Sequence, residues 1–256
     1  MITADSFRLD GKVAVVTGSG RNIGRSIAES FAALGAKVVV NGHADVAAMD
    51  SVVDAIRSRG GEAVAIKADV SRDEDVMRLV DGAVAAFGGL DILVSNVGIR
   101  RYRALLEITP EEWDDVIRTN LSAAFYLSRR AIPLMQKNRW GRVIVISGFD
   151  GFWGQITHRS PNVAAKAGLH GLAKAIAREF GADGITANTV APGAIDTVRD
   201  WSQYVHQPRD KILSEIPLGR FGTVDELAAA CVLLASEAGA FISGQVVHVN
   251  GGHYMI

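Results

Sequence analysis

The chain carries one cysteine, Cys231, among its 256 residues. A lone thiol forms no internal disulfide, and within "ELAAACVLLAS" it reads as a core residue. No apolar stretch reaches the roughly 18–20 residues that span a bilayer. The opening "MITADSFRLDGK" lacks an apolar segment of the signal-peptide kind, so a cytoplasmic protein is expected. Charge of one sign is not in excess either: the net charge is −1, with acids and bases interspersed. No nucleic acid or membrane partner is expected. Metal-ligand spacings are absent, and no serine–histidine–acid order is legible, so no metal site is expected. Linkers, repeats and low-complexity runs are missing too, which leaves one domain over residues 1–256.

What is present is alternation. Short apolar runs, "KVAVVTG", "AKVVVNG", "EAVAIKADV", "LDILVSNVG", "GRVIVISG", "GITANTVAPG" and "GQVVHVNGG", read as strands. Helical patterns separate them: "RSIAESFAALG", then about 47–59, 73–87, 113–137, the stretch from His158 to Glu179, and 224–236. Continuously apolar strands between helices predict a parallel sheet covered on both faces, an α/β doubly wound fold. The polar segment 196–222, with Trp201 and Tyr204, falls at the ligand-binding edge of such a fold. It reads as a substrate lid or as an ordinary surface excursion.

Between the first strand and first helix, "VVTGSGRNIGRSIAESF" sets Gly18, Gly20 and Gly24 at G-x-G-x-x-x-G spacing. Glycines there allow close backbone approach, and a helix N-terminus favours anions, so a phosphate-bearing ligand is expected. The second strand ends "VVVNGHADV", with Gly42 and no carboxylate until Asp45. Arg21 and His43 are candidate partners for a 2′-phosphate.

These motifs, with others in the same order, resemble the short-chain dehydrogenase/reductase family over nearly the whole chain. "TGSGRNIG" is similar to the family's T-G-x-x-x-G-x-G loop, with Asn22 where glycine or alanine is usual. The resemblance implies a Rossmann-type fold and a nicotinamide dinucleotide, NADP preferred or NAD. It implies cofactor contacts from Gly18, Ser19, Gly20, Arg21, Asn22, Ile23, Gly24 and His43, and from Asp69 and Val70 of "ADV". It also implies contacts from Asn96 and Gly98 of "SNVG", from Lys166, and from Pro192, Gly193, Ile195 and Thr197 of "APGAIDT". Asn120, Ser147, Asn162 and Lys166 fall at the catalytic positions. A homotetramer or homodimer is implied as well, packed through the helices near 113–137 and 160–181.

One family feature is missing. The motif Y-x-x-x-K puts a phenol one helical turn before the lysine, on the same face. Here "NVAAK" has Asn162 instead. An amide hydrogen-bonds a carbonyl but does not titrate near neutrality. A shifted spacing with six intervening residues falls on Arg159. Tyr102, Tyr126, Tyr204 and Tyr254 lie in other segments, and His170 is read as structural, turned away from Ser147 by the chain direction. His158, at the entrance of the helix, is the candidate substitute acid, or else a surface histidine. Four explanations remain open: redox chemistry with another proton source, non-redox chemistry on the same scaffold, a cofactor-binding pseudoenzyme, or an engineered substitution. Phe149, Phe152 and Trp153 suggest a bulky or aromatic substrate, or else core packing.

Overall fold

The valine-rich runs become central strands because residues apolar on both sides need cover on both faces. In the computed structural model, which describes residues 1–154, 157–198 and 208–255, seven strands form one parallel sheet. They are β1 (Val13–Val16), β2 (Lys37–Gly42), β3 (Glu62–Lys67), β4 (Ile92–Ser95), β5 (Gly141–Ile146), β6 (Ile185–Pro192) and β7 (Val246–Val249). Their order is β3-β2-β1-β4-β5-β6-β7. All residues of β1, β4 and β5 are buried.

Helices α1 (Asn22–Ala33), α2 (Val46–Ser58) and α8 (Val224–Ala235) cover one face. Ile27, Phe31, Val52, Leu227 and Cys231 pack there against Val38 and Ile144. The thiol of Cys231 is pushed up to about 12 by burial, as expected of a core residue. Helices α3 (Asp73–Phe87), α5 (Ala123–Asn138) and α6 (Ser160–Phe180) cover the other face through Leu79, Leu127, Met135 and Leu169. Each such side chain, fully buried, contributes about 1.5–3 kcal/mol. No helix among the described residues is long and apolar enough to cross a membrane.

The expected helix from 113 to 137 is not continuous. Helix α4 (Pro110–Ile117) starts in a capping box of Thr109 and Glu112. A π-helical turn, Arg118–Ser122, separates it from α5. The wider turn admits an extra residue, a device common beside functional sites, and here it carries Asn120. In the polar segment 196–222, residues 199–207 lie outside the described residues, and with them Trp201 and Tyr204. A short helix, α7 (Arg209–Ser214), follows. The order of strands reverses between β1 and β4, and a ligand crevice opens at the carboxyl ends of strands flanking such a reversal.

Candidate active site

A groove of about 430 Å³ lies at that reversal. Its floor is the glycine loop. Gly18 takes φ +60, a conformation that suits glycine, and a Cβ on Gly24 would lie 2.3 Å from the Gly18 carbonyl. The loop is therefore closed to side chains. Arg21, the N-cap of α1, supplies no side-chain cap to the helix. The groove thus meets a helix N-terminus whose first N–H groups lack intrahelical partners, a fitting seat for a phosphate. Ser19 supports the loop from beneath: its hydroxyl donates to Val16 O at 2.6 Å and accepts from Asn41 N at 3.0 Å. Asn96 does likewise, donating to Thr17 O at 2.9 Å.

Asn22 explains its own departure from glycine. It adopts φ +49, a left-handed conformation that asparagine tolerates better than most residues. Its side chain then bonds the backbone of Val198 at both ends, accepting from N at 3.0 Å and donating to O at 3.2 Å. The start of the 196–222 segment is thereby tied to the glycine loop.

The groove gathers Gly18, Arg21, Asn22, Ile23, Gly24, Asn96, Gly98, Asn120, Ser147, Asn162, Lys166, Pro192 and Thr197. It does not gather all the expected residues. His43 is exposed and Ile195 is buried, and both lie outside the groove lining. Asp69 spends its carboxylate on Ser71, accepting from its N at 3.0 Å and its Oγ at 2.7 Å, beside buried Val70. Gly193 is kept as glycine by Asn250, whose Cβ would lie 2.6 Å from an added Cβ. Gly42 is similarly explained by packing: a Cβ there would meet Met49 Sδ at 3.0 Å. Asp45 caps α2, accepting from Ala48 N at 3.0 Å.

At the inner end, α6 delivers Lys166. Its ammonium donates to Ile146 O at 3.0 Å. Burial pushes this amine down to about 8, and Arg100 adds to the shift. Asn120 and Asn162, both buried, turn their amides to the loop after β4. Asn162 Nδ2 donates to Ile99 O at 2.7 Å, and its Oδ1 accepts from Arg101 N at 3.3 Å.

Ser147 corrects an expectation. It borders the groove, yet its hydroxyl donates to Val190 O at 3.3 Å and lies 3.0 Å from His170 Nε2. His170, expected to turn away from Ser147, is its partner instead. Helical spacing decides this: residues 166 and 170 are one turn apart and share a face. His170 stacks on Phe152 with centroids 4.2 Å apart. Burial, with the charges of His248, Lys174 and Lys166, pushes its pKa down to about 4. The residue that faces the lysine stem is the next one, Gly148, whose added Cβ would sit 3.8 Å from Lys166 Cγ.

An inner chamber continues the groove through Arg100, Ser147, Asn162 and Lys166. Its further walls include Asp150, Arg159 and Tyr254. Sequence order hid this convergence: Tyr254, from the C-terminal segment, stacks on Phe149 at 4.0 Å and against Trp153 at 4.5 Å. Burial and nearby carboxylates push its phenol up to about 12. Arg159 is buried, donates to Asp150 Oδ2 at 3.0 Å and also bonds the Tyr102 hydroxyl. His158 is exposed, bonded to Thr157 Oγ1 at 3.1 Å, and lines neither cavity. Of the two readings of His158, the surface histidine is the one observed. Phe152 and Trp153 are partly exposed and are not core residues.

The fold and the groove define a dinucleotide-binding α/β oxidoreductase. The family model described as enoyl-(acyl carrier protein) reductase matches residues 18–254. The 3-oxoacyl-(acyl-carrier-protein) reductase FabG of Escherichia coli (strain K12) is 42% identical over 251 residues, covering 98% of this chain and 100% of that one. Its namesake from Staphylococcus aureus (strain Mu50) is 41% identical over 245 residues, 95% of this chain and 98% of that one. A solved 7α-hydroxysteroid dehydrogenase, complexed with NADH and 7-oxo glycochenodeoxycholic acid, superposes with TM-score 0.93 at 33% identity, covering 98% of each chain. This chain belongs to the short-chain dehydrogenase/reductase family.

Proposed function

We propose that the protein is a nicotinamide-dependent oxidoreductase that interconverts a carbonyl and a secondary alcohol, with a proton source other than the family's tyrosine. The observation that carries this is the continuity of the groove. It runs from the uncapped start of α1 to Lys166 and opens into the chamber. The glycine loop and the N-terminus of α1 would hold the pyrophosphate, and Lys166 the nicotinamide ribose hydroxyls. When bound, the nicotinamide supplies hydride exchange. NADP is favoured over NAD because Arg21 lines the groove and no carboxylate takes the place of Gly42. The substrate is a small molecule of the chamber, and the stacked rings of Phe149 and Tyr254 in its lining favour a bulky or aromatic one. A cytoplasmic homotetramer or homodimer is the expected form.

Asn162 occupies the tyrosine position with both ends of its amide bonded to backbone. It therefore holds the chamber wall and moves no proton. Titration with NADPH and NADH, followed by turnover of a carbonyl and alcohol panel, tests the proposal. Tighter NADPH binding and turnover of any panel member support it. Failure to bind either nucleotide rejects it.

A further inference from the structure

Five residues line both the groove and the chamber: Arg100, Ser147, Asn162, Lys166 and Pro192. Two of them are cations and none is an acid. Among the described residues, no carboxylate lines the groove at all. The chamber lining has two, and each is matched by a basic group. Asp150 Oδ2 accepts from Arg159 at 3.0 Å, and Glu215 Oε2 lies 3.2 Å from His253 Nε2. The passage between the cavities is therefore positive, and low-dielectric walls focus such a field. Arg100 and Lys166 feel each other there: burial, then the charge of Arg100, depress the lysine amine to about 8, and Asp150 opposes them. An anion between two such cations relieves their repulsion.

We propose that Arg100 determines specificity by binding a carboxylate of the substrate, so that the protein acts on hydroxy acids and the matching oxo acids. The proposal rests on the redox reading of the same site and names its substrate class. The acid group would lie close to the reacting carbon, because the passage is also where Lys166 would meet the nicotinamide ribose. The carboxylate itself is unchanged by the hydride exchange. Its apolar body would lie against the stacked rings of Phe149 and Tyr254 in the chamber lining.

The backbone of Arg100 is built for a fixed position. Both peptide groups that flank it are held by one side chain: Asn162 Nδ2 donates to Ile99 O at 2.7 Å, and its Oδ1 accepts from Arg101 N at 3.3 Å. The residue that stands in place of the family's tyrosine thus anchors the arginine. A guanidinium keeps its charge throughout the working pH range, and its parallel N–H groups match both oxygens of a carboxylate. The other cations suit the role less well. Arg159 is buried on Asp150. Lys166 donates to Ile146 O. Arg21 stands at the start of α1, at the phosphate end of the groove, and does not line the chamber.

The test uses the full chain and the variants Arg100→Gln, Arg100→Lys and Arg21→Gln, each first shown to fold. Ligand-observed NMR titrations without nucleotide compare cyclohexanecarboxylate with the neutral cyclohexanecarboxamide. The native chain should prefer the carboxylate by about tenfold or more, the effect of one charge-assisted hydrogen bond. Arg100→Gln should abolish the preference, Arg100→Lys should keep part of it, and Arg21→Gln should keep it whole. Turnover then compares 3-hydroxycyclohexanecarboxylate with its methyl ester. The ratio of their kcat/KM values should favour the acid in the native chain and fall by about tenfold or more in Arg100→Gln. No carboxylate preference in the native chain, or one that survives in Arg100→Gln, overturns the proposal. A preference lost in Arg21→Gln instead would place the anion at the glycine loop and overturn it too. The two readings fail separately: an Arg100-dependent preference with no turnover of any alcohol or ketone supports the carboxylate seat and rejects the redox reading, whereas equal turnover of acid and ester keeps the redox reading and overturns the seat.

Discussion

Asn120 and Asn162 donate to the same oxygen, the carbonyl of Ile99, at 2.9 and 2.7 Å. One amide comes from the π-helical turn and the other from α6. Asn120 also accepts from Ile99 N at 2.8 Å. The loop after β4 is thereby fixed from two sides, and the wall between groove and chamber becomes a shared hydrogen-bonded unit. Networks of this kind are worth most when every member is satisfied.

Asn162→Tyr removes the bond to Ile99 O and the one from Arg101 N, and introduces a phenol four residues before Lys166. A net loss of about 1–3 kcal/mol of stability is expected, because Arg101 N loses its acceptor while Ile99 O keeps Asn120. Turnover should nevertheless rise, by up to about 10²–10⁴-fold, through the added acid–base group. Asn162→Ala should lose similar stability with no gain in turnover. Thermal unfolding and steady-state rates on the best panel substrate check both. A stable, nucleotide-binding Asn162→Tyr protein with no gain would show that the phenol is not what the site lacks.

Gly148→Ser should complement that substitution. The backbone at Gly148 is extended, with φ 176, so a serine is not strained there. Its Cβ would make ordinary contact with the Lys166 stem. The added hydroxyl would then stand beside the Lys166 stem, free of the bonds that engage Ser147 with Val190 O and His170. The double variant Gly148→Ser/Asn162→Tyr should exceed Asn162→Tyr in kcat/KM by roughly tenfold, the worth of one well-placed hydrogen bond of about 1.4 kcal/mol. Ser147→Ala, by contrast, should change stability more than rate.

The architecture was legible because buried parallel strands are written as continuous apolar runs, and "VAVV" and "VIVI" need no partner information to be recognised. The groove was legible for a similar reason: Gly18, Gly24 and Lys166 occupy positions where few residue types fit. Orientation was not. Successive strand residues point to opposite faces, so a motif displaced by one residue puts Ser147 on His170 and leaves Gly148 toward the lysine. Nor was convergence legible. Asp150, Arg159, Tyr102 and Tyr254 meet only because β5, the entrance of α6, the loop after β4 and the C-terminal segment end at one edge. The π-helical turn at Asn120 also left no periodic trace, since one extra residue in a helix hardly alters its apolar pattern.

Gly24→Ala isolates the glycine loop from the rest of the site. An added methyl would lie 2.3 Å from Gly18 O and 2.8 Å from Ser19 Cα. Neither backbone atom yields without moving the loop. Nucleotide affinity should fall by at least about tenfold, a 1.4 kcal/mol change, while the sheet still folds. Gly171→Ala, also in a helix but with open space around it, should leave both affinity and stability nearly unchanged or slightly improved. Equilibrium nucleotide titration of the two variants makes the comparison.

His170 should impose an acid limit on stability. Its folded pKa is pushed down to about 4 from an ordinary 6.5. Above pH 6.5 both folded and unfolded chains carry the neutral ring, and the contribution of the histidine is fully present. Between 6.5 and 4 the unfolded chain takes up a proton that the folded chain refuses, so stability falls as pH falls. Below about 4 both forms are protonated and this loss levels off. His170→Gln keeps an amide able to reach the Ser147 hydroxyl but does not titrate. It should therefore be less stable than the native chain at pH 7.5, yet lose less on going to pH 5. Melting temperatures of the two proteins at these pH values decide the matter: parallel declines would mean that His170 takes no part in the acid sensitivity, and converging ones that the Ser147–His170 pair is a neutral, buried hydrogen bond.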